Sequence, residues 1–251
     1  MNAVQTETFS PSMTTRPRWR DLFLYLLLGV GGYLGASLAL DFILKPTKIT
    51  LGLSALAFAL NVLFIGGSVL LLSAWRKRLH LDTIGFFPPR LTRARAFQAV
   101  ILSLGILPVR ALAAALAQLA TGGRMDSSQM RLDLIAPEGF TWLGFFVTLL
   151  GAGILAPMAE ELFFRGALFS WFRERFNFPV AMLASSLLFG LAHYDTAAVV
   201  ASSFVFGLVA AYMFERTQTL WVPILMHITS NSFAVLIIYA ALAFAPDAFA
   251  R

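Results

Sequence analysis

The sequence predicts an all-α, polytopic transmembrane helix bundle of about seven helices, and three observations lead to that fold. Hydrophobic residues make up 59% of the 251-residue chain and charged residues only 13%, about half the charged share of a soluble domain. The mean hydropathy is +0.77. The apolar residues fall into seven runs, and most basic residues sit in the short segments between them. A chain so poor in charge does not suit an ordinary soluble enzyme. With no cysteine it also holds neither a disulfide nor a cysteine-ligated metal. The net charge of +6 does not point to nucleic acid, because no patch interleaves basic and aromatic residues.

Residues 1–21 read as a polar, Ser/Thr-rich tail ending in Arg16, Arg18 and Arg20. The first apolar run, 22–44, is too long for a signal-peptide core and lacks a small-residue cleavage site, so it reads as a retained helix. It contains Gly31-Gly32-Tyr33-Leu34-Gly35, a small-residue pattern that can seat a second helix closely. The second run is 51–75, and a basic loop with Pro88-Pro89 follows. The third, 96–120, carries Pro108 and Arg110 and completes a set of N-terminal transmembrane helices over 22–120. A polar loop is expected over 121–139. The fourth run starts near Phe140 and passes Pro157, and the last three are 180–194, 197–214 and 220–244. Placing the N-terminus in the cytoplasm puts 13 of the 19 Lys and Arg residues on the inner side and 5 on the outer, as the positive-inside rule requires.

Ionisable side chains inside a bilayer are costly and mark functional sites. Here they gather in the last 100 residues. Glu161 and Arg165 are i and i+4, a spacing that pairs them, while Glu160 points about 100° away and stays available. Phe189 and His193 share a helix face. Asn177-Phe178-Pro179 is the expected turn of a hairpin, with Glu160 17 residues before Asn177 and His193 16 after it. At 1.5 Å per residue both lie roughly 24–26 Å from the turn, hence at one depth. His227 and Asn231, again i and i+4, come to a similar depth on the last helix, about 20 Å from a turn near Gln218. His80, in the basic loop, stands apart. Arg110 reads first as a structural or snorkelling cation, and second as a holder of a substrate's C-terminal carboxylate.

The series Glu160-Glu161-x-x-x-Arg165, Phe189-x-x-x-His193, His227-x-x-x-Asn231 resembles the CPBP family of intramembrane proteases, the CAAX prenyl endopeptidase or Abi type. The likeness covers about residues 140–244. It implies an intramembrane endopeptidase acting on peptides or proteins at the lipid bilayer, some of them prenylated or otherwise lipidated. It also implies that Glu160 and His193 activate water, that His227 and Asn231 stabilise the oxyanion, and that Glu161, Arg165 and Phe189 support them. The chemistry agrees with that implication: amide hydrolysis needs an activated water and donors for the oxyanion. Glu160, His193 and His227 would equally make a three-ligand zinc site with an open position, although HExxH is absent. Both a metal-free and a zinc mechanism stay open at this point. The rival classes are a non-catalytic membrane partner or immunity protein of the same fold, and an ion-coupled transporter.

Overall fold

The structure, a computed structural model, describes residues 18–76, 79–86, 91–122 and 126–245, with the backbone alone for 126–130. The expected tail up to residue 17, together with Lys77, Arg78, Arg90 and the Pro88-Pro89 pair, lies outside the described residues. No strand occurs among the described residues. Six helices are long and apolar enough to cross a membrane: α1 Trp19–Leu44, α2 Leu51–Arg76, α3 Arg93–Ala120, α5 Trp142–Arg173, α7 Ala197–Thr217 and α8 Trp221–Phe244. A seventh apolar helix, α6 Phe178–Ala192, has 15 residues. The polar stretch expected to be a loop contains the helix α4 Asp126–Ile135. Leu132 and Ile135 share one face of it, and Pro137 follows its end, where proline commonly stops a helix.

The ends of these helices follow from their residues. Thr141 caps α5, its hydroxyl accepting from the Gly144 amide at 3.0 Å. Asn177 caps α6 by accepting from Val180 at 3.2 Å, and Thr196 caps α7 by accepting from Val199 at 2.9 Å. Such caps satisfy amides that the first helical turn leaves without partners. Large apolar side chains such as Leu38, Phe42, Leu112, Phe146 and Leu187 remain exposed along the helices. In water they would be a liability, whereas in lipid they are the expected outer face. The molecule is an integral, multi-pass membrane protein.

Helices α6 and α7 pack as a tight hairpin through glycines. A Cβ at Gly190 would stand 2.9 Å from the Val200 carbonyl oxygen, and one at Gly207 would stand 2.9 Å from Ser186 Cβ. In α1 the close contact falls on Gly32, which meets the Phe64 ring, while Gly35 has open space. Gly190→Val, three residues before His193, brings a Cβ and its branches against the Val200 backbone carbonyl and Phe204. The expected result is a loss of about 1–3 kcal/mol, the usual cost of overpacking, read as a lowered thermal midpoint in detergent. An unchanged midpoint would show that the hairpin is looser than drawn.

Helix α5 is locally underwound. Wide π turns at Leu149–Leu155 and Leu162–Phe169 flank an ordinary α segment, Ala156–Glu161. Pro157 lacks an amide hydrogen and so leaves carbonyls of the preceding turn without their helical donor. Side chains of α8 take them up: Asn231 Nδ2 donates to Ala152 O and Ser232 Oγ to Gly153 O, both at 3.2 Å. Turns of this kind often occur at functional sites.

Candidate active site

The predicted hairpin depth holds. His193 Nε2 lies 3.7 Å from Glu160 Oε2, and His227 Nε2 lies 3.9 Å from the same oxygen. The two imidazoles come from the end of α6 and the first half of α8, and the carboxylate from the middle of α5. His193 is not inside its helix but caps its C-terminus, with φ −104° and ψ 50°. The residues that follow enter the capped start of α7, and the Arg131–Asp195 ion pair ties this connection to α4.

Each imidazole is oriented by its other nitrogen. His193 Nδ1 is 2.8 Å from the Phe189 carbonyl oxygen. A carbonyl only accepts, so Nδ1 carries the hydrogen of that bond, and Nε2 is the nitrogen that faces Glu160. His227 Nδ1 is 2.9 Å from Glu161 Oε1, which also accepts from Arg165 Nη1 at 2.9 Å. The other ring nitrogen of His227, Nε2, faces Glu160 Oε2. Glu161 and Arg165 are fully buried, and Arg165 lies over the Phe189 ring with its Cζ 4.3 Å from the centroid. Phe189 therefore packs against His193, at 4.6 Å between centroids, and against His227, at 5.6 Å. The shared helix face expected of Phe189 and His193 is thus present as a ring contact.

Two contributors escaped the sequence analysis. Asn61 on α2 donates from Nδ2 to Glu160 Oε1 at 3.3 Å, which leaves Oε2 for the imidazoles. The orientation of the amide follows from chemistry, since a carboxylate accepts only. Asn61 is the only amide in the apolar run 51–75, and the rule that polar groups in membrane helices carry function would have marked it. Phe206 on α7 lies 4.8 Å from the His227 ring and carried no such signal. Asn231 makes its hydrogen bond to Ala152 and none to Glu160, His193 or His227 among the described residues.

The donor types suit zinc: one carboxylate oxygen and two imidazole nitrogens, each imidazole held through Nδ1 as metal-bound histidines are. Their spacing is wider. Ligand atoms around tetrahedral zinc stand about 3.3 Å apart, and as placed no group of three or more such side chains among the described residues is arranged to hold a metal ion.

Fold and cluster together define a membrane-embedded helix bundle whose polar side chains gather around two adjacent carboxylates, Glu160 and Glu161. Residues 142–233 match the family model of the type II CAAX prenyl endopeptidases, Rce1-like, so the likeness drawn from the three motifs is borne out. The chain is 34% identical over 115 residues to the "Putative membrane peptidase YdiL" of Bacillus subtilis, covering 46% of this chain and 44% of that protein. It is 31% identical over 130 residues to the "Membrane-embedded CAAX protease MroQ" of Staphylococcus aureus, covering 48% and 49%. An "Uncharacterized 24.3 kDa protein" of Escherichia coli is 35% identical over 94 residues, covering 36% and 43%. Each match thus spans less than half of the relative's length. No solved structure matches.

Proposed function

We propose that this chain is an intramembrane endopeptidase that hydrolyses peptide bonds of membrane-associated peptides or proteins, including prenylated ones, with its N-terminus in the cytoplasm. One observation carries the reading: the Nε2 atoms of His193 and His227 stand 3.7 and 3.9 Å from Glu160 Oε2, and with both imidazoles neutral all three atoms are acceptors. Converging lone pairs repel, so the cluster is built for a donor or a cation, and a water with two hydrogens is one. The family match and the relatives' names support the same reaction.

In this mechanism a water donates to Glu160 Oε2 and His193 Nε2. Glu160 takes its proton as the water oxygen bonds to the scissile carbonyl carbon. The carbonyl π pair moves to oxygen, and the second amide hydrogen of Asn231 donates to that oxyanion. His227 can assist there only when Nε2 also carries a proton, because its Nδ1 is spent on Glu161. The proton held by Glu160 then passes to the leaving amine nitrogen, the oxyanion pair re-forms the C=O bond, and the C–N bond breaks to release the amine and the carboxylic acid. Zinc, when held by Glu160, His193 and His227, would act as a Lewis acid and acidify the water.

The test is cleavage of quenched peptides, with and without a prenyl group, by the purified chain in detergent, with and without a zinc chelator. Cleavage retained under chelator is expected. Cleavage lost under chelator and restored by zinc would move the mechanism to a metal. No cleavage of any peptide would sink the protease reading in favour of a non-catalytic partner, or of a carrier if metal flux appeared instead.

A further inference from the structure

Asn61 uses only half of its amide. Its Nδ2 donates to Glu160 Oε1 at 3.3 Å, and that bond turns Oδ1 another way. Oδ1 is buried and meets no hydrogen-bond partner among the described residues. Buried polar atoms without a partner are rare, and each calls for an explanation. In water the solvent would supply the missing donor. Asn61 lies roughly 15 Å along α2 from Leu51, well inside the apolar span, and acyl chains carry no donor. Nor is the amide free to swing elsewhere, because α2 is locked against α5 on both sides of it. A Cβ at Gly151 would stand 2.4 Å from Phe58 Cδ2, and a Cβ at Gly66 would stand 3.0 Å from Ala159 Cβ.

The position says which donor belongs there. The nitrogen and oxygen of one amide are about 2.3 Å apart, so Oδ1 lies within about 6 Å of Glu160 Oε1. That is the reach of one to two residues of extended peptide at roughly 3.3 Å each. A peptide opened for cleavage inside a membrane exposes backbone N–H groups that lipid does not satisfy. A fixed, buried acceptor beside the catalytic carboxylate matches such a group. Building on the endopeptidase reading, we infer that Asn61 Oδ1 accepts a backbone N–H of the substrate within two residues of the scissile bond. One amide then has two tasks: its nitrogen holds the base, and its oxygen holds the chain on which the base acts. Proline, which has no N–H, is disfavoured in the substrate at that position.

A set of quenched peptides tests this on the full chain in detergent, each with one non-scissile backbone N–H replaced by an ester oxygen. The readout is kcat/KM relative to the unmodified peptide, with the cut located by mass. In the wild type one replacement within two residues of the bond should cost about tenfold, the scale of a buried acceptor left unpaired. Asn61→Leu keeps the size of the side chain and removes the acceptor, so that replacement should then cost no more than its neighbours. Asn61→Asp keeps an acceptor and should keep the cost. Each ratio is taken within one variant, so a general loss of rate or stability cancels, and Asn61→Ala serves where Asn61→Leu does not fold. A wild type indifferent to every replacement within two residues would overturn the inference and leave the protease intact. So would a tenfold cost that Asn61→Leu and Asn61→Ala retain, which would assign the N–H to another acceptor. If the wild type leaves even the unmodified peptide uncut, the protease reading fails and this inference with it.

Discussion

Glu160→Gln is expected to lower kcat by about 10²–10⁴-fold, the range a positioned general base supplies. The substitution is chosen for what it retains. Glutamine keeps the shape of the side chain, and its carbonyl oxygen still accepts from Asn61 Nδ2, so the contact between α2 and α5 survives. What is lost is the proton acceptor: the amide NH₂ that replaces Oε2 would donate to the imidazoles instead of taking a proton from water. KM should change little, because on this mechanism the carboxylate works on water and not on the peptide. Initial rates on a quenched peptide, set beside thermal midpoints in detergent, separate the chemical step from the fold. A variant that keeps more than about a tenth of the wild-type kcat removes Glu160 from the base role.

Glu161→Leu should cost stability first. It leaves Arg165 as a buried, unpaired cation, and breaking such a pair costs about 3–5 kcal/mol. In a chain of this size that is a fall of about ten degrees or more in the thermal midpoint. The double variant Glu161→Leu with Arg165→Met removes both charges, and buried pairs replaced in this way often regain their stability. Activity should not return with it. Glu161 also holds His227 Nδ1 at 2.9 Å, and losing an orienting partner behind a catalytic imidazole costs about 10–100-fold by analogy with metal sites. A double variant that is both stable and fully active would show that Glu161 serves the fold alone.

How much of this was legible before the structure depended on range. Glu160 and His193 could be brought to one depth because their distances from Asn177 count along two helices joined by one turn. The Glu161–Arg165 pair and the Phe189–His193 contact are four residues apart, and helical periodicity reaches that far. Asn61 and Glu160 are 99 residues apart, and Glu161 and His227 are 66 apart. No periodicity encodes such pairings; they appear only once the bundle is packed. The first π turn was only half legible: Pro157 was visible, but the α8 side chains that take up the Ala152 and Gly153 carbonyls were not. The four-residue spacing of His227 and Asn231 was legible, but the bond from Asn231 to Ala152 was not. Helix α4 was overlooked for a different reason: the polarity of 121–139 outweighed the short apolar face of Leu132 and Ile135.

Helix α6 ends after 15 residues, about 22 Å of rise against a hydrocarbon layer of about 30 Å. Lipid beside it must either thin or leave a notch above His193, Asp195 and Thr196. Hydrolysis consumes a water at every turnover, and hydrocarbon is a poor supplier of it. On the proposed endopeptidase mechanism the short helix would make the surrounding bilayer a component of the catalyst, one whose acyl-chain length sets how easily water arrives. Reconstitution into thicker membranes should therefore slow the enzyme without changing a single residue.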